Sequence, residues 1–183
     1  DYTPMQARFF LEAPHADGMP VTLPQSGVRV AVNGMPVITE GDIINVELVQ
    51  VDLGKCILFQ LTPSATRDFY RLSVSHQGKR LVVIVNGDPL GARRIDGPIT
   101  NGALFVFIER PEGELPLLVD NLKKSSVAIQ REIARRRLAD RAAHFRAARE
   151  HDLADQRMPR ERRARFAPFA VHHVDDAPGH ARF

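Results

Sequence analysis

Residues 85–102 read VNGDPLGARRIDGPITNG, a segment that mixes glycines with two adjacent arginines. Such a segment suits either a phosphate-binding loop or two tight turns that join strands. A phosphate-binding loop needs a lysine and then a serine or threonine directly after its last glycine, at the start of a helix. Neither Gly91 nor Gly97 is followed by that pair, and the next element reads as a strand. The segment therefore predicts two turns, at the Asn-Gly pair of residues 86–87 and at the Gly-Pro pair of residues 97–98.

Three apolar runs surround these turns. Residues 81–85 (LVVIV) are continuously apolar, which is typical of a central strand buried on both faces. The chain returns through residues 90–95 and forms another strand candidate at residues 103–109 (ALFVFIE). Because an Asn-Gly pair between apolar runs is a strong hairpin signal, we expect the first two runs to pair as antiparallel strands.

A helix is predicted just before this hairpin. Thr62 or Ser64 can cap a helix with Pro63 in its first turn, where the missing N–H costs little. The apolar residues that follow fall at helical spacing: Ala65, Phe69 and Leu72. Gly78 closes the pattern, as glycine commonly does at a helix C-terminus.

The N-terminal third reads as strands separated by turns. Residues 7–12 (ARFFLE) and 28–32 (VRVAV) are strand candidates, and residues 13–20 (APHADGMP) are expected to form a loop. Residues 43–51 (IINVELVQV) alternate in polarity and are expected to form a hairpin with residues 56–61. The alternation predicts one common face: Ile44, Val46 and Leu48.

From Pro111 onward the pattern is helical. Four residues at helical spacing form one apolar face: Leu115, Leu118, Val119 and Leu122. No strong stop occurs before Pro159, so we expect the helix to continue with a thin, alanine-rich stripe. The larger members of that stripe are Ile129, Ile133, Leu138 and Phe145. Because such a stripe cannot anchor a helix alone, the segment packs on a partner, lies along the body or projects as a charged rod.

These elements predict an α+β fold: a mostly antiparallel sheet with two packed helices, the second continuing as a long C-terminal charged helix. We divide the chain into an α+β domain at residues 1–126, a charged helical extension at residues 127–158 and a basic tail at residues 159–183, which we expect to be disordered. The single cysteine, Cys56, excludes an intrachain disulfide and is expected in the core. The first residue is Asp1, which suggests a trimmed chain or a removed leader peptide.

Charge is distributed unevenly along the chain. The net charge is +3, yet residues 131–165 hold 12 arginines against 6 acidic residues, so the remainder is mildly acidic. The basic residues that could bind an anionic surface, whether nucleic acid or membrane, are Arg135, Arg136, Arg137, Arg146 and Arg149, with residues 160–165. One alternative is a solvated helix with pairs such as Glu132 with Arg136. Another is self-association through the apolar stripe; nucleic acid is the less expected partner because acidic residues are interleaved.

No set of residues converges on catalysis or metal binding. There is no G-x-S-x-G motif, and Ser73, Ser75 and His76 lie together on the predicted helix without the arrangement of a triad. The metal candidates are His144 and His151 with Asp140 or Asp155, and the histidines of residues 172–180. Histidines on a charged helix or in a flexible tail are usually just solvated. We therefore predict that the protein is not an enzyme and uses no cofactor or metal.

The motifs of residues 58–108, taken in order, resemble the head portion of the first periplasmic domain of SecD, a subunit of the Sec protein-export machinery. That family shows a strand ending in F-x-L-T, a helix, G-x-R-L-A, an apolar strand, a D-G or N-G turn, and P-I-x-x-G. The matching positions are Phe59, Leu61, Thr62, Gly78, Arg80, Leu81, Asn86, Gly87, Pro98, Ile99 and Gly102. Upstream, residues 8–12 (RFFLE) and 39–49 (TEGDIINVELV) also resemble the family.

The resemblance implies a non-catalytic protein-binding module of the cell envelope or periplasm that engages unfolded polypeptide or another envelope protein. If binding occurs by strand addition, the predicted site is the second arm of the hairpin, taken as an unpaired edge: Leu90, Arg93, Arg94 and Ile95. This sequence departs from the SecD pattern in two ways, which limit the family properties that can be assigned to it. The membrane spans with which SecD couples proton flow to export have no counterpart in this sequence, although proximity to a membrane is still compatible with it. Small residues and proline are usual in the family where residues 92–95 stand.

Overall fold

The computed structural model describes residues 2–156. The chain forms two compact units, Asp1–Arg136 and Arg137–Phe183. The strands and the first helix lie in the first unit, and the described part of the second unit is the C-terminal portion of the long helix. The disorder predicted for residues 159–183 therefore concerns residues outside the described range.

The first unit alternates short strands with two helices, and its α+β class is as predicted from the sequence. The elements are β1 Ala7–Leu11, β2 Met19–Thr22, β3 Arg29–Val32, β4 Ile43–Val51, β5 Gly54–Leu61, α1 Pro63–Ser75, β6 Arg80–Val85, β7 Asp88–Arg94, β8 Ala103–Val106 and α2 Leu115–Gln156. Short 3-10 helices precede β4 and α2, at Glu40–Asp42 and Glu112–Glu114.

The strands form three small antiparallel sheets. The orders are β1-β6-β7, which we call the β6 sheet, β4-β5-β8, which we call the β5 sheet, and the pair β2-β3. The continuous apolar run of residues 81–85 lies in the central strand β6, as its composition predicted. The β2-β3 pair is tied to the end of β1 because Ala13 N donates to Ala31 O and Asn33 N donates to Leu11 O, both at 2.9 Å.

Both larger sheets contribute to one apolar core. Phe9 of β1 and Phe59 of β5 meet edge to face with ring centroids 5.1 Å apart. Helix α1 adds Phe69 to this core, and α2 adds Val119 and Leu122. Burial of each such side chain contributes about 1.5–3 kcal/mol, so the core, rather than helix propensity, holds both helices in place. Cys56 is also buried, as predicted.

Local chemistry fixes the hairpin and the start of α1. Asn86 and Gly87 have φ of 50° and 90°, the left-handed conformation of a tight hairpin turn, so the predicted β6–β7 hairpin is confirmed. At the start of α1, Thr62 Oγ1 accepts from Ala65 N at 3.2 Å. Pro63 follows the cap directly, which confirms the predicted N-terminus.

The loop predicted at residues 13–20 was partly wrong, because Met19 and Pro20 belong to β2. Proline weakens a strand prediction since it donates no hydrogen bond to a neighbouring strand. Here β2 pairs only with β3 and is an edge strand, so the missing N–H is tolerated. The strand predicted at residues 103–109 is also shorter than expected and ends at Val106.

The face predicted for β4 was wrong at its first residue. The register shifts between Ile43 and Asn45, which is a β-bulge. As a result Ile43 is buried with Val46, and Ile44 is exposed. The alternation in the sequence could not show this, because one extra residue in a strand changes which side chains share a face.

Candidate functional site

The four binding residues predicted on β7 do not form an exposed surface. Leu90 and Ile95 are buried in the main core, and only the arginines between them reach solvent. Ile95 N also donates to Lys79 O at 2.8 Å, which fixes the end of the arm. The two apolar members of the predicted site therefore serve packing.

The free side of β7 is largely covered by residues 105–109, which comprise the end of β8 and the chain that follows it. Glu109 N donates to Leu90 O at 2.7 Å, and Arg93 Nη1 donates to Phe105 O at 3.3 Å. Gly91 lies so close to the carbonyl oxygen of Phe107 that a side chain has no room there. Strand addition at this edge is therefore obstructed, and the sequence could not show it because the covering residues come from a later segment.

The two adjacent arginines of β7 have different environments. Burial lowers the pKa of the Arg93 guanidinium, which lies beside the β5 sheet. Arg94 is mostly exposed, with its Nε 3.7 Å from Asp96 Oδ1. Arg93 therefore links the two larger sheets, whereas Arg94 makes only a loose surface pair, which contributes little.

Exposed apolar side chains lie instead on the β5 sheet. Its register aligns Glu47, Leu58 and Phe105 across the three strands, on the face opposite the buried row of Val46, Phe59 and Leu104. Phe105 is 40% exposed, and Phe107, just after β8, is 43% exposed. We call the partly exposed set Val49, Leu58, Phe105 and Phe107 the apolar face.

A polar cluster borders the apolar face on β4. Asn45 Nδ2 donates to Gln60 Oε1 at 3.0 Å and to Glu47 Oε1 at 3.1 Å. Lys123 Nζ of α2 donates to the same Glu47 oxygen at 2.6 Å. The Lys123 hydrogen bond, followed by that of Asn45, lowers the pKa of Glu47. The charge of Glu47 is thus held at the edge of an otherwise apolar surface.

The serines considered for catalysis have structural roles. Ser73 Oγ donates to Tyr70 O at 2.7 Å and accepts from Ile99 N at 2.9 Å, in a fully buried position. Ser75 Oγ donates to Arg71 O at 3.2 Å. Among residues 2–156, no three His, Cys, Asp or Glu side chains gather as metal ligands. The histidines of residues 172–180 and the arginines of residues 160–165 lie outside the described range.

The predicted anion-binding arginines are all exposed on α2: Arg135, Arg136, Arg137, Arg146 and Arg149. Two of them are partly neutralised, since Glu132 pairs with Arg136 at 2.9 Å and with Arg135 at 3.8 Å. The Glu132–Arg136 pair is the one predicted from their spacing. Of the apolar stripe, Ile129 and Ile133 are half-buried, while Leu138 and Phe145 are exposed.

No family model and no curated protein matches the chain. A solved structure of SecDF, described as a membrane component that enhances protein export, matches with a TM-score of 0.51 and 18% identity over 67% of this chain and 63% of its own. SecDF in a super-membrane-facing form matches with a TM-score of 0.49 and 16% identity, over 68% of this chain and 18% of that one. SecDF from Thermus thermophilus matches with a TM-score of 0.47 and 18% identity, over 68% and 20%.

The fold is therefore SecD-like, as the order of motifs predicted. The chain spans less than two thirds of the length of the first of these structures and about a fifth of the other two. No helix within residues 2–156 is both long and apolar enough to cross a membrane.

Proposed function

We propose that the protein is a non-catalytic polypeptide-binding module of the cell envelope, and that its apolar face receives unfolded or extended chains. The observation that carries this proposal is the pair of partly exposed phenylalanines, Phe105 and Phe107, at the end of a sheet of SecD-like topology. Contiguous exposed apolar side chains on a folded domain often mark an interaction site. The envelope location rests on the same similarity to SecDF, which is a protein-export component.

The composition of the apolar face suits the binding of polypeptides with many different sequences. Its members offer dispersion and area burial, which select apolar residues without demanding a particular order. On the β4 side, the apolar face ends at the charged pair of Glu47 and Lys123. Such a surface binds many unfolded segments weakly, because ordering a flexible chain costs entropy.

A binding titration with the full-length chain tests this proposal. The probe is a fluorescently labelled globular protein that has been reduced and alkylated so that it stays unfolded, and the readout is fluorescence anisotropy. We expect the double substitution Phe105→Ser with Phe107→Ser to weaken binding about tenfold or more, the loss of roughly 1.4 kcal/mol of apolar burial. The matched control is Phe145→Ser, which removes a phenylalanine that is 74% exposed on α2.

Two results would count against the proposal. One is an unchanged dissociation constant in the Phe105 and Phe107 double variant whose circular dichroism matches the unsubstituted protein. The other is an equal loss of affinity in Phe145→Ser, since binding would then involve α2 rather than the β5 sheet. The alternative functions predicted for α2, anion binding and self-association, remain predictions.

A further inference from the structure

The outer edge of β4 carries backbone groups that point away from its sheet. In the β5 sheet, β4 is a nine-residue edge strand. Leu61 N of β5 donates to Gly102 O, on the β8 side. Because backbone groups alternate sides along a strand, the even-numbered residues of β5 bond to β4. Their partners in the register are the odd-numbered residues of β4, so the N–H and C=O groups of Leu48 and Gln50 point outward.

Only part of this edge can be approached from solvent. At its start, Ile43 O accepts from Ser126 Oγ at 2.7 Å and from Gln130 Nε2 at 3.2 Å, so α2 closes that end. Val46 is only 1% exposed. From Glu47 to Val51 every residue is partly or fully exposed. The open part of the edge is therefore the second half of β4.

The Lys123–Glu47 ion pair crosses this edge. Val46 belongs to the same core as Leu122, so α2 packs on the inner face of β4. Glu47 lies on the opposite face, with Leu58. Lys123 must therefore pass around the β4 edge to place its Nζ 2.6 Å from Glu47 Oε1. Lysine on an exposed edge is one of the ways in which proteins protect a strand from unwanted pairing.

The other sheet edges among residues 2–156 are less open. The free side of β7 is covered as described above. On the free side of β1, Phe9 N donates to Ile38 O at 2.9 Å and Val37 N donates to Phe9 O at 2.8 Å. The edge of β2 is four residues long and contains Pro20, which cannot donate. The edge strands β3 and β8 have only four residues each, so the nine-residue β4, which is open over its second half, has the longest open edge among the described residues.

We propose that β4 takes up an extended polypeptide segment by strand addition along Glu47–Val51, with the Lys123–Glu47 pair as a removable cover. The proposal rests on the proposed function and specifies where and how the chain is held. The spacing of several unpaired strand groups matches that of another extended backbone, which defines the occupant. The new strand would continue the β5 sheet beside Val49, so its outward side chains would extend the apolar face. An occupant with apolar residues at alternate positions fits best.

A short peptide titration tests the mode of binding on the full-length protein. The probe is a labelled peptide of about eight residues that alternates valine and threonine, long enough to cover the open edge. In the variant Gln50→Pro, an outward N–H is lost while the bonds between β4 and β5 remain. We expect Gln50→Pro to weaken peptide binding at least about tenfold. The variant loses one hydrogen bond to the peptide, and the proline ring keeps the peptide backbone from approaching the edge closely. The control Gln50→Thr keeps the N–H and is expected to bind within about twofold of the unsubstituted protein.

A modified peptide makes the same test without changing the protein. N-methylation of every residue removes the N–H donors of both strand edges, so the fully methylated peptide is expected to lose binding, whereas a peptide methylated at every second residue keeps one edge and is expected to bind. Equal binding of the fully methylated and the unmethylated peptide, or unchanged binding by Gln50→Pro, would overturn strand addition.

The outcomes separate this inference from the proposed function. If Gln50→Pro keeps its affinity for the unfolded protein while the Phe105 and Phe107 double variant loses it, the apolar face binds polypeptide and strand addition is wrong. If neither probe binds the unsubstituted protein, both proposals fall. If the unsubstituted chain forms a dimer that Gln50→Pro dissociates and no peptide binds, the occupant is a second copy and the inference is wrong.

Discussion

Lys123 of α2 and Glu47 of β4 form an ion pair of 2.6 Å between side chains that start on opposite faces of the β5 sheet. The Lys123 side chain passes over the edge of β4, from the side of the apolar core to the side of the apolar face. Because both side chains are 40–50% exposed, the bond contributes little to stability, and its significance lies in what it covers.

Removal of the lysine is predicted to change the titration of Glu47. Lys123 donates the shorter of the two side-chain hydrogen bonds to this carboxylate, at 2.6 Å against 3.1 Å from Asn45, and is the main cause of its lowered pKa, so Lys123→Met is expected to raise the pKa of Glu47 toward its ordinary value. The measurement is an NMR titration of the Glu47 side-chain carboxyl. Lys124→Met is the matched control, because Lys124 pairs with Asp120 at 2.7 Å instead. A pKa of Glu47 that is unaffected by Lys123→Met would show that the pair does not persist in solution.

Ser73 is predicted to be important for stability. It satisfies the backbone N–H of Ile99, and Ser73→Ala leaves that buried donor without a partner. We expect a loss of about 1–3 kcal/mol in the free energy of unfolding, measured by urea denaturation. Ser75→Ala, two residues away at an exposed position, is expected to change it by less than about 0.5 kcal/mol. Equal effects of the two substitutions would contradict the hydrogen bond.

Gly91 is predicted to be required by close packing rather than by turn geometry. A methyl group at this position would overlap the carbonyl oxygen of Phe107, so Gly91→Ala forces β7 and the chain after β8 apart. We expect a destabilisation of about 1–3 kcal/mol in thermal or urea unfolding. Gly97→Ala is the control, since nothing lies within 4 Å of the added methyl group there. Comparable stability of the two variants would mean that the β7 edge is open after all.

The stability contributed by Glu12 is predicted to depend on pH. Arg80 donates to Glu12 from its backbone N at 2.8 Å and from Nη2 at 2.6 Å, and these bonds lower the pKa of Glu12 below its ordinary value of 4.5. A lowered folded-state pKa means that the unfolded chain binds the proton first as pH falls. The contribution is therefore complete above pH 4.5 and is lost as pH falls through the lowered pKa.

The check is the difference in unfolding free energy between the unsubstituted protein and Glu12→Gln. We expect about 1.5–3 kcal/mol at pH 7, as for hydrogen bonds to a charged group, and a smaller difference at acid pH. Glu150→Gln, on an exposed part of α2, is expected to change the free energy of unfolding at pH 7 by less than about 0.5 kcal/mol. A difference for Glu12→Gln that stays constant with pH would contradict the account.

Local signals in the sequence predicted much of the fold. The Thr62 cap, the Asn-Gly turn and the apolar run of β6 each act within a few residues, so they could be read directly. The bulge at Ile44 and the short strand β2 could not, because both depend on which strand lies alongside. The order of SecD-like motifs predicted the fold, which matches a solved structure of SecDF with a TM-score of 0.51.

The candidate site was harder to predict for the same reason. Residues 90–95 read as a free hairpin arm, yet residues 105–109 return to cover it. Phe105 and Phe107 were visible only as members of an apolar strand, and the sequence did not show that both side chains are exposed, one within β8 and one just after its end at Val106. The open edge of β4 follows from the strand order β4-β5-β8, which no local pattern encodes.

Hydrogen exchange of the backbone amides, measured on the full-length chain with and without the reduced and alkylated protein, tests the central claim most directly. The amides of Leu48 and Gln50 point outward and are expected to exchange quickly in the free protein and to slow when the probe binds. Protection is expected to extend to Phe107 at the end of the apolar face. Protection confined to the arginine-bearing part of α2 or to β7, with exchange at Leu48, Gln50 and Phe107 unchanged, would contradict the account.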